Sequence, residues 1–279
     1  MRDTAGDSHA TTGAGGGGGA VPAPPPPAAP PFPAQGRAAA GAPAAPTAGA
    51  APGATGAPSS WGWRAALAGL ALGYGPQAAL LLFSALAGAG RDVGEVTLGG
   101  AVALVAGSLV IYGWQTFAAW LFSLRRTGAR LALWGFRRPH ASVAWRVPAA
   151  LAVVYAVAFL HQEVVHPRQQ DLLTQFPRSG VGLGLLVLLA VVVAPPFEEL
   201  FFRGFIYRGL AQSWGWRRAA LVSGALFGLA HFQPDVAVPL GVLGVALAWV
   251  YERTGSLWSS IALHAVFNGL AVVAWAVTG

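Results

Sequence analysis

The chain has 279 residues, of which 55% are hydrophobic and only 10% are charged, whereas soluble globular domains carry roughly 25% charged residues. Its formal charge of +7 comes from arginine without any lysine, and the sequence contains no cysteine. This composition excludes an ordinary soluble domain, disulfides, thiolate metal ligands and a cysteine nucleophile. The arginines lie between apolar runs, which favours a membrane topology over nucleic acid binding.

The first segment is a tail rich in Ala, Gly and Pro, residues 1–60. It contains almost no Leu, Ile or Val, so it lacks the apolar surface that would offset the entropy of ordering. It also lacks the charged region followed by an apolar stretch that a signal peptide needs. We expect a disordered tail that acts as a spacer.

Seven apolar runs follow, and they predict an all-α fold, a polytopic transmembrane bundle of about 7–8 spans. The third and sixth runs are short. The sequence is also compatible with an eighth span or with a re-entrant segment. The predicted spans cover residues 65–90, 98–124, 143–160, 181–207, 218–234, 236–251 and 257–277.

Loop charges predict the orientation of the bundle. The segments 125–146 and 208–218 are strongly basic, while the loops between them are near neutral. Because basic loops stay on the cytoplasmic side, we expect both segments and the N-terminus there. Trp134 and Phe136 among the arginines favour an amphipathic helix that lies along the headgroups. The Ala- and Arg-rich usage without lysine is typical of a high-GC genome, hence of a bacterial plasma membrane.

Ionisable and strongly polar side chains within the apolar runs are functional candidates by default, because burying them in lipid is costly. The candidates that we select in the last four runs are Glu198, Glu199, Arg203, His231, His264 and Asn268. At about 1.5 Å per residue, Glu198, His231 and His264 lie roughly 15, 20 and 12 Å from the ends of their predicted spans. All three are therefore expected near the middle of a hydrocarbon core about 30 Å thick.

The spacing of these residues predicts which side chains meet. Glu199 and Arg203 are four residues apart in the favoured acid-first order, so they can neutralise each other on one helical face. Glu198 is rotated by about 100° from Glu199, which leaves it free to face a cavity. We therefore assign support to Glu199 with Arg203 and reactivity to Glu198. His264 and Asn268 are also four apart and share a face.

These side chains fit peptide hydrolysis by an activated water. A glutamate can act as general base with a histidine that shares the proton, and a second histidine with an asparagine can stabilise an oxyanion. Glu198, His231 and His264 could instead bind a zinc ion that leaves one position open for water. The residues alone leave both alternatives open.

Three motifs occur in order along the last four apolar runs. EELFFR fits EExxxR, FGLAH fits FxxxH and HAVFN fits HxxxN. Over roughly residues 181–275 this pattern resembles the CPBP intramembrane protease family, which includes the type II CAAX prenyl endopeptidases. The resemblance divides the chain after its tail into N-terminal membrane helices with a basic interfacial loop, 61–180, and a CAAX protease-like catalytic core, 181–279.

The resemblance implies an intramembrane endopeptidase with its active site inside the bilayer. The resemblance implies one role for each of three residue pairs. Glu198 and His231 would activate the water, His264 and Asn268 would stabilise the oxyanion, and Glu199 and Arg203 would support the site. The implied partners are the lipid bilayer and a peptide or protein substrate, prenylated or membrane-embedded. The family is customarily classed as metalloproteases, so zinc is the candidate cofactor.

Other patterns receive a structural interpretation. His161 and His166 in HQEVVH stand about 140° apart around a helix, so we interpret the stretch as a loop without a metal site. Ser223 lacks a surrounding GxSxG motif, and a small residue in a span usually packs helices. Phe227 is interpreted as packing. The alternative function is a non-catalytic binding or immunity protein that holds a peptide in the same cavity.

Overall fold

The computed structural model describes residues 61–87, 97–126, 131–166, 173, 175–177 and 180–278. The predicted tail, 1–60, lies outside the described residues. Within these ranges the chain is helical and contains no strand. Its helices are α1 Trp63–Leu86, α2 Leu98–Phe122, α3 Val143–Val165, α4 Gly180–Trp214, α5 Trp216–Leu229, α6 Pro234–Thr254 and α7 Leu257–Thr278.

Six of these helices are long and apolar enough to cross a membrane, which confirms the all-α transmembrane bundle. The exception is α5, so the described part of the chain has fewer spans than the seven to eight predicted. α5 contains 14 residues and rises only about 21 Å, less than a hydrocarbon core of about 30 Å.

The predicted span 218–234 is wrong because the chain turns after α5. Phe232 lies in that turn with a left-handed φ of 53°. Gln233 is extended, as a residue before proline prefers, and Pro234 begins α6. His231 therefore lies in a turn between two helices and not inside a span.

Helix α4 carries both glutamates and departs from regular α-helical geometry around them. The turns Leu188–Val193 and Leu200–Tyr207 are π-helical. Pro195 and Pro196 lie between these turns. Since proline offers no backbone N–H, the helical hydrogen-bond ladder must loosen there. The expected disturbance before the glutamates is confirmed, and the helix continues past the predicted end at residue 207.

The helices α5 and α6 form a tightly packed hairpin. A Cβ at Gly228 would lie 2.8 Å from the backbone nitrogen of Gly241, and one at Gly244 would lie 2.7 Å from the Cα of Gly224. Glycines thus let the two backbones approach closely, as small residues do in membrane helices. Ser223 is buried in the same helix and donates only to a carbonyl one turn earlier, in agreement with the packing interpretation.

The described residues of the basic segment 125–146 do not form the predicted amphipathic helix. Short 3-10 turns replace it, the second at Leu131–Trp134. Trp134 is buried and its indole N–H donates to a serine hydroxyl at the end of α2, at 3.1 Å. Gly135 has a φ of 99° and passes close over the ring of Tyr251. A helix cannot continue through that backbone conformation.

Both basic segments lie at the same end of the bundle. The backbone N–H of His140 donates to the carbonyl of Thr254 at 3.2 Å. The guanidinium of Arg253 lies 5.1 Å from the ring centroid of Trp216. Because Arg253 and Thr254 end α6, the two segments meet there. The prediction that they share one side is confirmed, and the assignment of that side to the cytoplasm stays a prediction.

Candidate active site

Glu199 is fully buried and contacts two other ionisable side chains. Its Oε1 accepts a hydrogen bond from Nη1 of Arg203 at 2.9 Å and lies 3.0 Å from Nδ1 of His264. The side chain of Arg203 is fully buried too. The predicted pair on one face of α4 is confirmed, and His264 joins it from α7.

Arg203 connects α4 to the hairpin of α5 and α6. Its Nη2 donates to the carbonyl of Gly244 at 3.0 Å. Its Cζ lies 4.5 Å from the ring centroid of Phe227. A guanidinium is planar and carries several N–H donors. It can therefore donate to a carboxylate and a carbonyl while its face packs against an aromatic ring. The position of Glu199 is therefore fixed by three helices.

Glu198 points into a cavity of about 440 Å³. Its Oε2 lies 3.8 Å from Nε2 of His264. The two nitrogens of that imidazole therefore face the two neighbouring glutamates. Polar side chains that line this cavity are Tyr112, Gln175, Glu198, His231, Gln233, His264 and Asn268. The structure thus brings the carboxylate and both histidines to one cavity, as the sequence predicted.

His231 reaches the cavity from the turn after α5. Its Nδ1 lies 2.8 Å from the carbonyl of Phe227, so Nδ1 carries the proton and Nε2 keeps a free lone pair in the neutral ring. The ring of Phe227 lies 4.9 Å from that of His231 and 5.5 Å from that of His264. Phe227 therefore packs against both imidazoles. Its interpretation as a packing residue is confirmed, and the rings that it contacts are those of His231 and His264.

Asn268 lines the same cavity one turn beyond His264, which confirms that the two share a face. Its Nδ2 donates to the carbonyl of Ala190 at 2.8 Å. Ala190 belongs to the first π-helical turn of α4, where regular pairing is altered. The amide keeps a second N–H and an oxygen for another partner.

Sequence reasoning missed Tyr112 on α2. Its hydroxyl donates to Oε1 of Glu198 at 3.0 Å. Its ring stacks on Phe197, with centroids 5.4 Å apart and planes 7° apart. A tyrosine inside an apolar run was the available signal, since a buried hydroxyl usually finds a partner. The sequence does not show that this partner is Glu198, because α2 and α4 are far apart in the chain.

The HQEVVH stretch lies elsewhere. His161 and Glu163 occupy the last turn of α3, and the exposed His166 follows it. None of the three lines the cavity. The interpretation as a loop is wrong for His161 and Glu163, because α3 continues past residue 160 to Val165. His166 follows the helix directly before a proline, where helices commonly stop.

The predicted zinc ligands lie around one cavity, but their present spacing does not fit an ion. In the described parts of the chain, no three His, Asp or Glu side chains cluster closely enough to hold a metal. His264 is also held through Nδ1 by Glu199. The zinc site at Glu198, His231 and His264 stays a prediction.

The sequence model of the family described as "Type II CAAX prenyl endopeptidase Rce1-like" matches residues 180–270. This segment, 180–270, is therefore similar to the Rce1-like family. The resemblance expected from the three motifs is thereby confirmed. The Rce1-like segment runs from the start of α4 into α7, and all six candidate residues lie within it.

Two curated proteins of Bacillus subtilis (strain 168) are similar to the chain. "Putative membrane peptidase YdiL" is 28% identical over 89 residues, which are 32% of this chain and 36% of that protein. "Uncharacterized protein YyaK" is 27% identical over 143 residues, 47% of this chain and 48% of that protein. The matches thus span less than half the length of either relative. No solved structure matches the chain significantly.

Proposed function

We propose that this protein is an intramembrane endopeptidase that hydrolyses a peptide bond with a water activated by Glu198. The observation that supports the proposal is the contact between Glu198 and His264, 3.8 Å apart, in a cavity that His231 also lines. The similarity of residues 180–270 to the Rce1-like family supports the same reaction class.

The first step uses Glu198 as general base. Tyr112 holds one of its carboxylate oxygens at 3.0 Å, which leaves the other oxygen to accept a proton from water. His231 orients that water through its free Nε2. As the proton moves to Glu198, the water oxygen bonds to the carbonyl carbon of the peptide.

The second requirement is a donor for the oxyanion that forms. Nδ1 of His264 is directed to Glu199 at 3.0 Å, and its Nε2 faces the cavity beside Glu198. In the proposed step His264 presents an N–H at Nε2 to the oxyanion. That N–H and the amide of Asn268 act as preorganised donors for the oxyanion.

Collapse of the tetrahedral intermediate completes the reaction. The C–N bond breaks, and Glu198 returns its proton to the departing amine. Glu199 and Arg203 touch neither the water nor the peptide in this scheme. Their role is to hold His264 in place, which the two short contacts to Glu199 explain.

The cavity lining indicates the class of substrate. Apolar residues from α1, α6 and α7 alternate with the polar ones: Leu81, Leu240, Ala271 and Val272. Such walls suit an apolar peptide segment that enters from the bilayer, with or without a prenyl group. CAAX-type processing and a related bacterial role are both compatible with this substrate class. We place the protein in a bacterial plasma membrane with its N-terminal tail in the cytoplasm.

The test is peptide cleavage by the purified full chain in liposomes. A library of apolar peptides, with and without a farnesyl group, is incubated with the wild type and with Glu198→Gln and His264→Gln. The matched controls are Glu163→Gln and His161→Gln, which change the same residue types outside the cavity. We expect cleavage in the wild type and both controls, and a loss of at least about a hundredfold in both cavity variants.

Cleavage that survives in Glu198→Gln would overturn the proposal. Peptide binding without turnover in the wild type would instead favour the non-catalytic binding protein. Metal analysis of the same sample, with a chelator added to the cleavage reaction, tests the zinc prediction separately.

A further inference from the structure

A second cleft, of about 470 Å³, lies between α3, α5 and α6 and shares no lining residue with the candidate active site. Both α3 and α5 pack against α6. The side chains that face one another across the cleft are small or medium and apolar: Ala149, Ala150, Val153, Ala220, Leu221, Val242, Val245 and Ala246. Because they are short, they leave a groove along the surface of α6.

The groove begins at the end of the bundle where the two basic segments meet. Trp216 and Trp249 line it near that end, at the first residue of α5 and in the last turns of α6. Leu221 and Val242 line it farther in, about 7 to 10 Å along their helices. Tryptophan is enriched at the boundary between headgroups and hydrocarbon. The groove therefore runs from the headgroup level toward the hydrocarbon.

The mouth of the groove is positively charged. Arg217 lines it and Arg218 follows, both exposed. Arg253 lies over the ring of Trp216, and Arg146 donates to the carbonyl of Arg253 at 3.2 Å. In the ranges that the structure describes, no carboxylate lies within ion-pair distance of these four arginines. The neighbouring Glu252 acts electrostatically on Arg253, so the charge available to an anion from the membrane is above all that of the exposed Arg217 and Arg218.

We propose that this groove binds one anionic phospholipid, with an acyl chain along α6 and the phosphate at the arginines. An arginine side chain matches a phosphate through two parallel donors. Basic residues at the membrane surface attract anionic lipids. The site has an apolar groove with arginines at its mouth. A matching ligand therefore needs both an apolar chain and a negative charge, as an anionic phospholipid has. The proposal does not depend on the peptidase function.

The experiment measures lipid retention by the full-length protein purified in detergent. Phosphatidylglycerol or phosphatidylcholine is added, and native mass spectrometry counts the lipids that stay bound. The test variant is Arg217→Gln/Arg218→Gln. The control variant, Arg64→Gln/Arg125→Gln, removes the same charge from two exposed arginines outside the groove. We expect one tightly held phosphatidylglycerol, weakened about tenfold or more only in the test variant.

A second pair of variants tests the apolar part. Ala149→Phe fills the groove from α3, and Ala144→Phe adds the same ring at an exposed position outside it. Only Ala149→Phe should lose the retained phosphatidylglycerol. Equal retention of phosphatidylcholine, an equal loss in the control arginine variant, or full retention by Ala149→Phe would each overturn the proposal.

Discussion

Oε1 of Glu199 lies 3.0 Å from Nδ1 of His264, and this contact couples the buried ion pair of α4 to the ring on α7. The other nitrogen of that ring faces Glu198 at 3.8 Å. Two adjacent glutamates thus contact opposite edges of one imidazole. In this arrangement Glu199 sets the orientation of His264, and Glu198 is left to the cavity.

Replacement of Glu199 should destabilise the fold. Glu199→Gln leaves the guanidinium of Arg203 buried without its carboxylate, and breaking a buried pair costs about 3–5 kcal/mol. The midpoint of thermal unfolding in detergent, measured by far-UV circular dichroism, should fall clearly. Glu163→Gln, at an exposed position, should leave the midpoint unchanged. Equal midpoints for both variants would contradict the buried pair.

Arg203 should not tolerate lysine. Arg203→Lys cannot hold Glu199, the carbonyl of Gly244 and the face of Phe227 together, because an ammonium lacks the planar fork. We expect a loss of about 1.5–3 kcal/mol for a hydrogen bond to a charged group, seen as a lower unfolding midpoint. Arg217→Lys, at an exposed site, is the control and should not change the midpoint. If Arg203→Lys unfolds at the wild-type midpoint, a positive charge alone is enough to stabilise Glu199, and the planar guanidinium is not required.

Tyr112 should affect turnover more than substrate binding. Tyr112→Phe frees one oxygen of Glu198 and should lower kcat about tenfold, the equivalent of one hydrogen bond, with little change in KM. Tyr207→Phe is the matched control, since its hydroxyl donates at 2.8 Å to Glu252, which does not line the cavity. Its kcat should stay at the wild-type value. A fall of equal size in both variants would indicate a general loss of stability.

The α5–α6 hairpin should respond sharply to a single methyl group. Gly228→Ala places a Cβ against the backbone of Gly241, and overpacking of this kind costs typically about 1–3 kcal/mol. Gly113→Ala, on α2, meets no atom within 4 Å and should be at least as stable as the wild type. The comparison needs only unfolding midpoints of the two purified variants. Similar midpoints would contradict the close approach of α5 and α6.

Local patterns predicted most of the fold and part of the candidate site. Apolar runs located six of the long helices, and the i to i+4 spacing located the Glu199–Arg203 pair and the shared face of His264 and Asn268. These features depend on residues that are close in the chain. The short α5 was mispredicted because hydropathy continues through His231, while the backbone turns before Pro234 for a local steric reason.

Contacts between distant helices could not be read from the sequence. The contact of Glu199 with His264 and that of Tyr112 with Glu198 each join residues of different helices. Helical periodicity shows which residues share a face, but it does not show which face another helix covers. The same limit explains Trp134, whose ring is buried against the bundle although Arg130 and Arg137 lie only three to four residues from it in the sequence.

Hydrolysis at this site requires that water reach the cavity that contains Glu198 and both histidines. Because the chain has no cysteine, one can be introduced at a single site and labelled in liposomes with a charged thiol reagent. Ala271 lines the cavity, whereas Val273, on the same helix, is 59% exposed on the outside of the bundle. We expect Ala271→Cys to react and Val273→Cys to remain unmodified in the bilayer. After unfolding, the cysteine of Ala271→Cys must react, which shows that the reagent is active. If the same cysteine does not react in the folded protein, the result would contradict a hydrated site.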